Sequence, residues 1–266
     1  MNFDAANTIY LALAAYTLGT LTVLVSLIGT SRRLQHAALV MMIAGFGLHT
    51  MWIGTICART GHPPLTNLAE ASAFLAWTIF AVELGLWIRY RVYAAAFFVY
   101  PLVLLLLTMS AIAGEPFDGL DPDLRSTLFT SHILLTTLGV AGLMIGLAFT
   151  ILASAQDRAL RSKRRGPLWE WIPSLNVCKV VSYRALAIGF SVYTIGLIAG
   201  VMWSYRTTAG LIDLRVKQIG AVVAWMLFAA LLQTAISGSL RARRTIYISA
   251  GAFVAIIVSI LGIART

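Results

Sequence analysis

The fold class predicted by this sequence is an all-α, polytopic membrane helix bundle of about eight transmembrane helices, and three observations predict it. Of the 266 residues, 59% are hydrophobic and only 11% are charged, where a soluble domain of this size carries about a quarter charged residues. The apolar residues gather into long runs, each near the roughly 20 residues that a helix needs to cross a hydrocarbon core about 30 Å thick. No run shows the strict two-residue alternation of an outer-membrane barrel strand.

In chain order the predicted spans are residues 8–30, 36–57, 70–88, 92–114, 129–154, 185–206, 218–239 and 245–263. The first is read as a retained helix and not a signal peptide, because Met1 to Asn7 carries Asp4 and no basic residue and the apolar run is too long for an h-region. Before the third span, Asn67 followed three residues later by Glu70 has the spacing of a capping box, with the asparagine side chain accepting from the Glu70 amide. Pro63 and Pro64 stiffen the approach to it. The loop after the fourth span collects Glu115, Asp118, Asp121 and Asp123; its spacing matches no calcium loop, and it reads as a solvated acidic outer loop. The connection from Gln156 to Tyr183 is the longest. Its Pro173-Ser174 marks a helix start, and Trp169 and Trp171 suit a short interfacial helix lying in the membrane surface. Most connections are short, there is no internal repeat, and residues 1–266 read as a single transmembrane domain.

The charge of +10 does not read as nucleic-acid binding, because the basic residues sit at helix ends and not together on one soluble face. They set topology instead. Fourteen of the twenty Lys and Arg residues, among them Arg32, Arg33, Arg89, Arg91, Arg165, Arg184 and Arg244, fall in alternate connections. By the positive-inside rule those connections are cytoplasmic, so the expectation is a multi-pass protein of the cell inner (cytoplasmic) membrane with both termini outside the cytoplasm. Under this topology Cys57 and Cys178 lie at opposite faces and cannot bridge within one chain. There is no CxxC and no CxxCH, which excludes the usual thiol oxidoreductases and c-type cytochromes.

Ionisable and polar side chains inside spans are costly unless they face the bundle interior, so they are the candidate functional groups. His49 lies well inside the second span, Glu83 in the third, His132 opens the fifth, and Gln233 is in the seventh. Glu83 is within two turns of the cytoplasmic end, where snorkelling or pairing with Arg89 accounts for it. Gln233 serves either as an interhelical hydrogen-bonding amide or as a group facing a ligand. His49 and His132 sit on different helices in the outer half of the bilayer, and two neutral imidazoles from separate helices are the usual ligand supply for a b-type haem. The alternative is that each imidazole hydrogen-bonds a neighbouring carbonyl. His36 at the cytoplasmic boundary and His62 in an outer loop read as interfacial.

The run Gly61, Pro63 or Pro64, Leu65, Asn67, Glu70, Phe74 and Trp77 resembles the G-x-P-L-x-N-x-x-E-x-x-x-F-x-x-W motif of the cytochrome c assembly superfamily, of the CcsA and HemX type. The helix opened by His132 with its basic tail, and the segment from Ile172 to Trp203, resemble further stretches of that family. The resemblance implies a haem-handling membrane protein, with haem b as cofactor, His49 and His132 as iron ligands, and Gln233 and Trp77 beside the cofactor. Other cytochrome c maturation or respiratory membrane proteins, together with membrane lipid, are the implied partners. Two departures stand out. After Trp203 the tryptophan-rich segment with which the haem-ligating synthases present haem is missing, and Gln233 stands where they place a membrane histidine. The likeness is therefore nearest to the shorter HemX-like members, and the expectation is haem binding without catalysis of haem attachment. A non-catalytic subunit or regulator of a membrane complex, without haem, is the rival reading.

Overall fold

The computed structural model describes residues 5–29, 31–61, 64–65, 67–90, 93, 95–113, 126–162, 173–207, 216–237 and 242–261. Among these there are eight α-helices and no strand: α1 (Ala5–Gly29), α2 (Arg32–Thr60), α3 (Leu68–Tyr90), α4 (Ala96–Ala113), α5 (Thr127–Ser162), α6 (Leu175–Thr207), α7 (Val216–Ile236) and α8 (Ala242–Leu261). The first seven are long and apolar enough to cross a membrane, and α8 has a shorter apolar stretch, Tyr247–Ser259. The chain is a multi-pass helical membrane protein. Large apolar side chains such as Ile112, Ile188 and Val201 stand exposed on helix faces, as a lipid solvent permits.

The helix ends follow from their residues. Ser31 Oγ accepts from Leu34 N at the start of α2, at 3.5 Å, and Gly61, with φ of 71°, closes that helix by donating its N–H to Cys57 O. Asn67 Oδ1 accepts from Glu70 N at 2.8 Å, the cap expected from the Asn-to-Glu spacing. Ser126 caps α5 through Phe129 N at 3.1 Å. Ser174 takes the same place before α6, accepting from Val177 N at 3.4 Å. The helix that begins there differs from expectation, since it is not a separate interfacial piece but the first turns of α6, unbroken to Thr207. No proline lies between Leu175 and Thr207 to stop it. Trp169 and Trp171, and the acidic residues Glu115, Asp118, Asp121 and Asp123, lie outside the described residues.

The helices group into two compact units, Met1–Leu120 and Asp121–Thr266. In the first, α1 packs on α2 and on α4, and α3 packs on α4. Its interior holds Tyr16, Met42, Ile79, Phe80, Tyr100 and Leu107, all fully buried. In the second, α5 packs along α6, α7 along α8, and these pairs meet through α6 with α7 and α5 with α8. The α5 and α6 backbones run in direct contact: a Cβ added at Gly139 would lie 2.6 Å from Tyr193 Cα, and one at Gly189 would lie 2.8 Å from Leu143 N. Lipid gives apolar helix faces little reason to associate, so close backbone approach through small residues supplies the contact. Thr150 Oγ1 and Ser182 Oγ hydrogen-bond across the same seam at 2.5 Å. Cys57, in the first unit, and Cys178, in the second, are both free thiols.

Candidate functional site

The first unit holds His49 on the buried stripe of α2 formed by Gln35, Leu39, Met42, Gly45, His49, Trp52 and Ile56. That spacing of three and four puts all of them on one helical face. Gly45 lies one turn before the histidine, and a Cβ there would meet Tyr16 Cδ1 at 2.7 Å. The bare glycine therefore lets the Tyr16 ring of α1 lie against α2. Tyr16 then stands edge-on to the imidazole, with centroids 6.0 Å apart, and its hydroxyl is 3.5 Å from Nδ1. Trp52 approaches the imidazole at 6.0 Å, and Phe80 of α3 packs on Tyr16 at the same separation. His49 is fully buried, 0% exposed. Its Nε2 has no hydrogen-bond partner among the described residues, an unusual state for a buried polar atom.

Trp77 of α3 lies beside the same stretch of α2. It stacks on Phe46 at 5.3 Å and on Phe74 at 5.8 Å, and its Nε1 donates to Thr50 Oγ1 at 2.9 Å. This bond joins α3 to α2 at the residue following His49. Glu83 departs from its expected role. It does not snorkel or pair with Arg89; it is buried, and its Oε2 has no hydrogen-bond partner among the described residues. The reason is its register: Phe80, Glu83 and Trp87 fall on one α3 stripe, and Phe80 packs inward on Tyr100 at 6.0 Å. His36 behaves as an interfacial residue, exposed, with Nδ1 2.9 Å from Arg32 O. His62 lies outside the described residues.

The second unit holds His132 near the start of α5, half-buried against α6. Its Nδ1 is 2.7 Å from Gly196 O, and the ring lies over Gly200, where an added Cβ would be 2.5 Å from Cε1 and Nδ1. With Nδ1–H donated to a carbonyl, the lone pair of the neutral ring is on Nε2. This is the tautomer that a carbonyl partner sets in metal-ligating histidines. It is also the hydrogen bond that a purely structural histidine makes. Gln233 is exposed on α7 and is not turned into its unit. Pattern and composition did not single out Tyr16, Gly45 or Gly200. Tyr16 carried a signal, a phenol inside an apolar run, whereas the glycines acquire meaning only from what faces them.

These residues fit a haem in kind. His49 offers a buried imidazole nitrogen without a hydrogen-bond partner, in a setting of aromatic and aliphatic side chains, and His132 offers the tautomer of a ligand. The two histidines belong to different units, and each stands on the residues of its own.

A family model described as cytochrome C assembly protein matches residues 65–265. Among similar proteins, a cytochrome c biogenesis protein CcsA from Guillardia theta is 27% identical over 233 residues, covering 80% of this chain and 77% of the relative. One of the same name from Prochlorococcus marinus (strain MIT 9301) is 27% identical over 227 residues, covering 77% and 74%. Another, from Gloeobacter violaceus, is 25% identical over 281 residues, covering 85% and 82%.

Proposed function

The chain belongs to the cytochrome C assembly protein family, and from that premise we propose that it is a haem-binding membrane protein of cytochrome c biogenesis. In this reading it takes a b-type haem, with His49 of the first unit and His132 of the second as iron ligands and Trp77 as a nearby aromatic group. The observation that carries it is His49 Nε2, a fully buried nitrogen with no hydrogen-bond partner among the described residues. A buried imidazole nitrogen of that kind is costly unless something outside the described contacts pairs with it. The names of the relatives, cytochrome c biogenesis proteins, support the same process. The family match runs through residues of both units, which supports treating residues 1–266 as one assembly-type domain.

When bound, the haem would supply an iron centre that the two imidazoles hold. The chain's own part is to bury the ligand, to set the His132 tautomer through Gly196 O, and to keep water from His49. We place the protein in the cytoplasmic membrane with both termini outside, on the charge asymmetry of its connections, and regard it as nearest to the HemX-like members. Gln233, exposed on α7, is read with Trp77 as a side chain beside the haem and not as an iron ligand.

Optical and electron paramagnetic resonance spectra of the purified protein test the proposal. Two imidazole ligands give a low-spin b-type spectrum. His49→Ala and His132→Ala should each give a high-spin spectrum or loss of haem, and His36→Ala should change neither. The rival, a haem-free structural subunit, is favoured by one observation, the His132 Nδ1 bond to Gly196 O. Absence of haem from the purified, unaltered protein would establish that rival, and unchanged haem content and spectrum in both alanine variants would overturn the ligand assignment.

A further inference from the structure

We propose that the first unit contains a second polar site, at the end where α1 passes to α2 and α3 to α4, in which Glu83, Tyr100, Gln35 and Thr20 together bind a small cluster of water molecules. Each of the four helices contributes one of these side chains: Thr20 from α1, Gln35 from α2, Glu83 from α3 and Tyr100 from α4. All four are buried, at 4%, 2%, 2% and 1% exposure respectively. Thr20 Oγ1, both side-chain polar atoms of Gln35, Glu83 Oε2 and Tyr100 Oη have no hydrogen-bond partner among the described residues.

Their positions along the helices bring them to the same half of the unit. Gln35 and Tyr100 are the fourth and fifth residues of α2 and α4, while Thr20 and Glu83 lie past the midpoints of α1 and α3. Ring contacts tie the corner together. Phe80, one turn before Glu83, packs on Tyr100 at 6.0 Å, and Trp87, one turn after it, meets Tyr93 at 5.9 Å. Tyr93 in turn meets His36, the neighbour of Gln35, at 5.4 Å.

The donor and acceptor set selects the occupant. A hydroxyl, a phenol and an amide can each give and take a hydrogen bond, and a carboxyl adds further acceptor capacity. Water matches such a mixed set from every side. Leaving these atoms without partners is costly inside the unit, whereas one buried water commonly satisfies about three such groups. With Glu83 as its one carboxyl, the site would be a place inside the membrane unit where a proton exchanges with water.

Radiolytic hydroxyl-radical footprinting of the full chain in nanodiscs tests this, because tightly bound water generates the label beside the residue it touches. Tyr193 is the dry comparison, buried at 4% exposure with its hydroxyl donated to Ala221 O. Tyr100 should be labelled several-fold faster than Tyr193 although it is no more exposed. In Glu83→Leu, or in Gln35→Leu should the first variant fail to fold, Tyr100 labelling should fall toward the Tyr193 rate. Equal, slow labelling of Tyr100 and Tyr193 in the unaltered protein would overturn the proposal. So would fast Tyr100 labelling that neither substitution reduces.

Discussion

Replacing Gly200 with alanine should dislodge the His132 imidazole, at a cost that the local contacts bound. The new Cβ would stand 2.5 Å from both Cε1 and Nδ1, about 1 Å inside ordinary van der Waals contact. α6 is held against α5 by backbone contact at Gly189 and Gly139, so the ring must yield and not the helix. When it swings away it loses its 2.7 Å bond to Gly196 O, worth about 1 kcal/mol. Forced repacking adds about 1–3 kcal/mol. Opposing both is the gain from placing alanine for glycine within a helix, at most about 1 kcal/mol. The net expectation is destabilisation of about 1–3 kcal/mol. In a His132→Ala background the ring is gone, only the helix propensity remains, and Gly200→Ala should be neutral or slightly stabilising. The assay is a double-mutant cycle by reversible unfolding in mixed detergent micelles, which reads the coupling without reference to haem. An equal cost of Gly200→Ala in the two backgrounds would show that the glycine and the ring do not depend on each other.

The same contacts fix other outcomes. Gly139→Leu should lower the unfolding midpoint strongly, because a side chain there meets the Tyr193 backbone at 2.6 Å, whereas Gly54→Leu, with nothing within 4 Å, should be tolerated; equal midpoints would contradict the close α5–α6 approach. Reporter fusions at Arg165 should read cytoplasmic and fusions at Gly119 external, and the reverse at both sites would invert the topology. Expressed alone in a host without other synthases, the chain should leave an apocytochrome carrying CxxCH without covalent haem, because it lacks the tryptophan-rich presenting segment; robust attachment would show that the family's ligating activity resides here after all.

The helices themselves were legible in the sequence, because a lipid solvent demands about 20 apolar residues per span and leaves the caps as the main polar punctuation. Asn67, Ser174 and the position of each span are local properties, decided within a turn or two, and the structure keeps them at their expected places. The family, too, could be read from motifs, since Asn67, Glu70, Phe74 and Trp77 carry their spacing in one short run. Helix lengths were less legible: α5 and α6 continue past the apolar boundary, because charged residues such as Asp157 and Arg161 support a helix in water through their 2.8 Å pair as well as apolar ones do in lipid.

Which side of each helix faces protein was settled by packing alone. Glu83 had the sequence neighbourhood of a snorkelling carboxylate, yet its register with Phe80 turns it inward. Gln233 had the look of a bundle-facing amide, yet α7 leaves it exposed. The grouping of the helices four and four likewise has no sequence signal, since lipid-facing and protein-facing surfaces are equally apolar. A nearly uniform hydropathy hides orientation, and orientation separates His49, buried beside Tyr16 and Trp52, from Gln233, exposed on α7. Contacts between helices distant in sequence set that rotation, and a glycine such as Gly45 or Gly200 acts in it through the partner ring it admits.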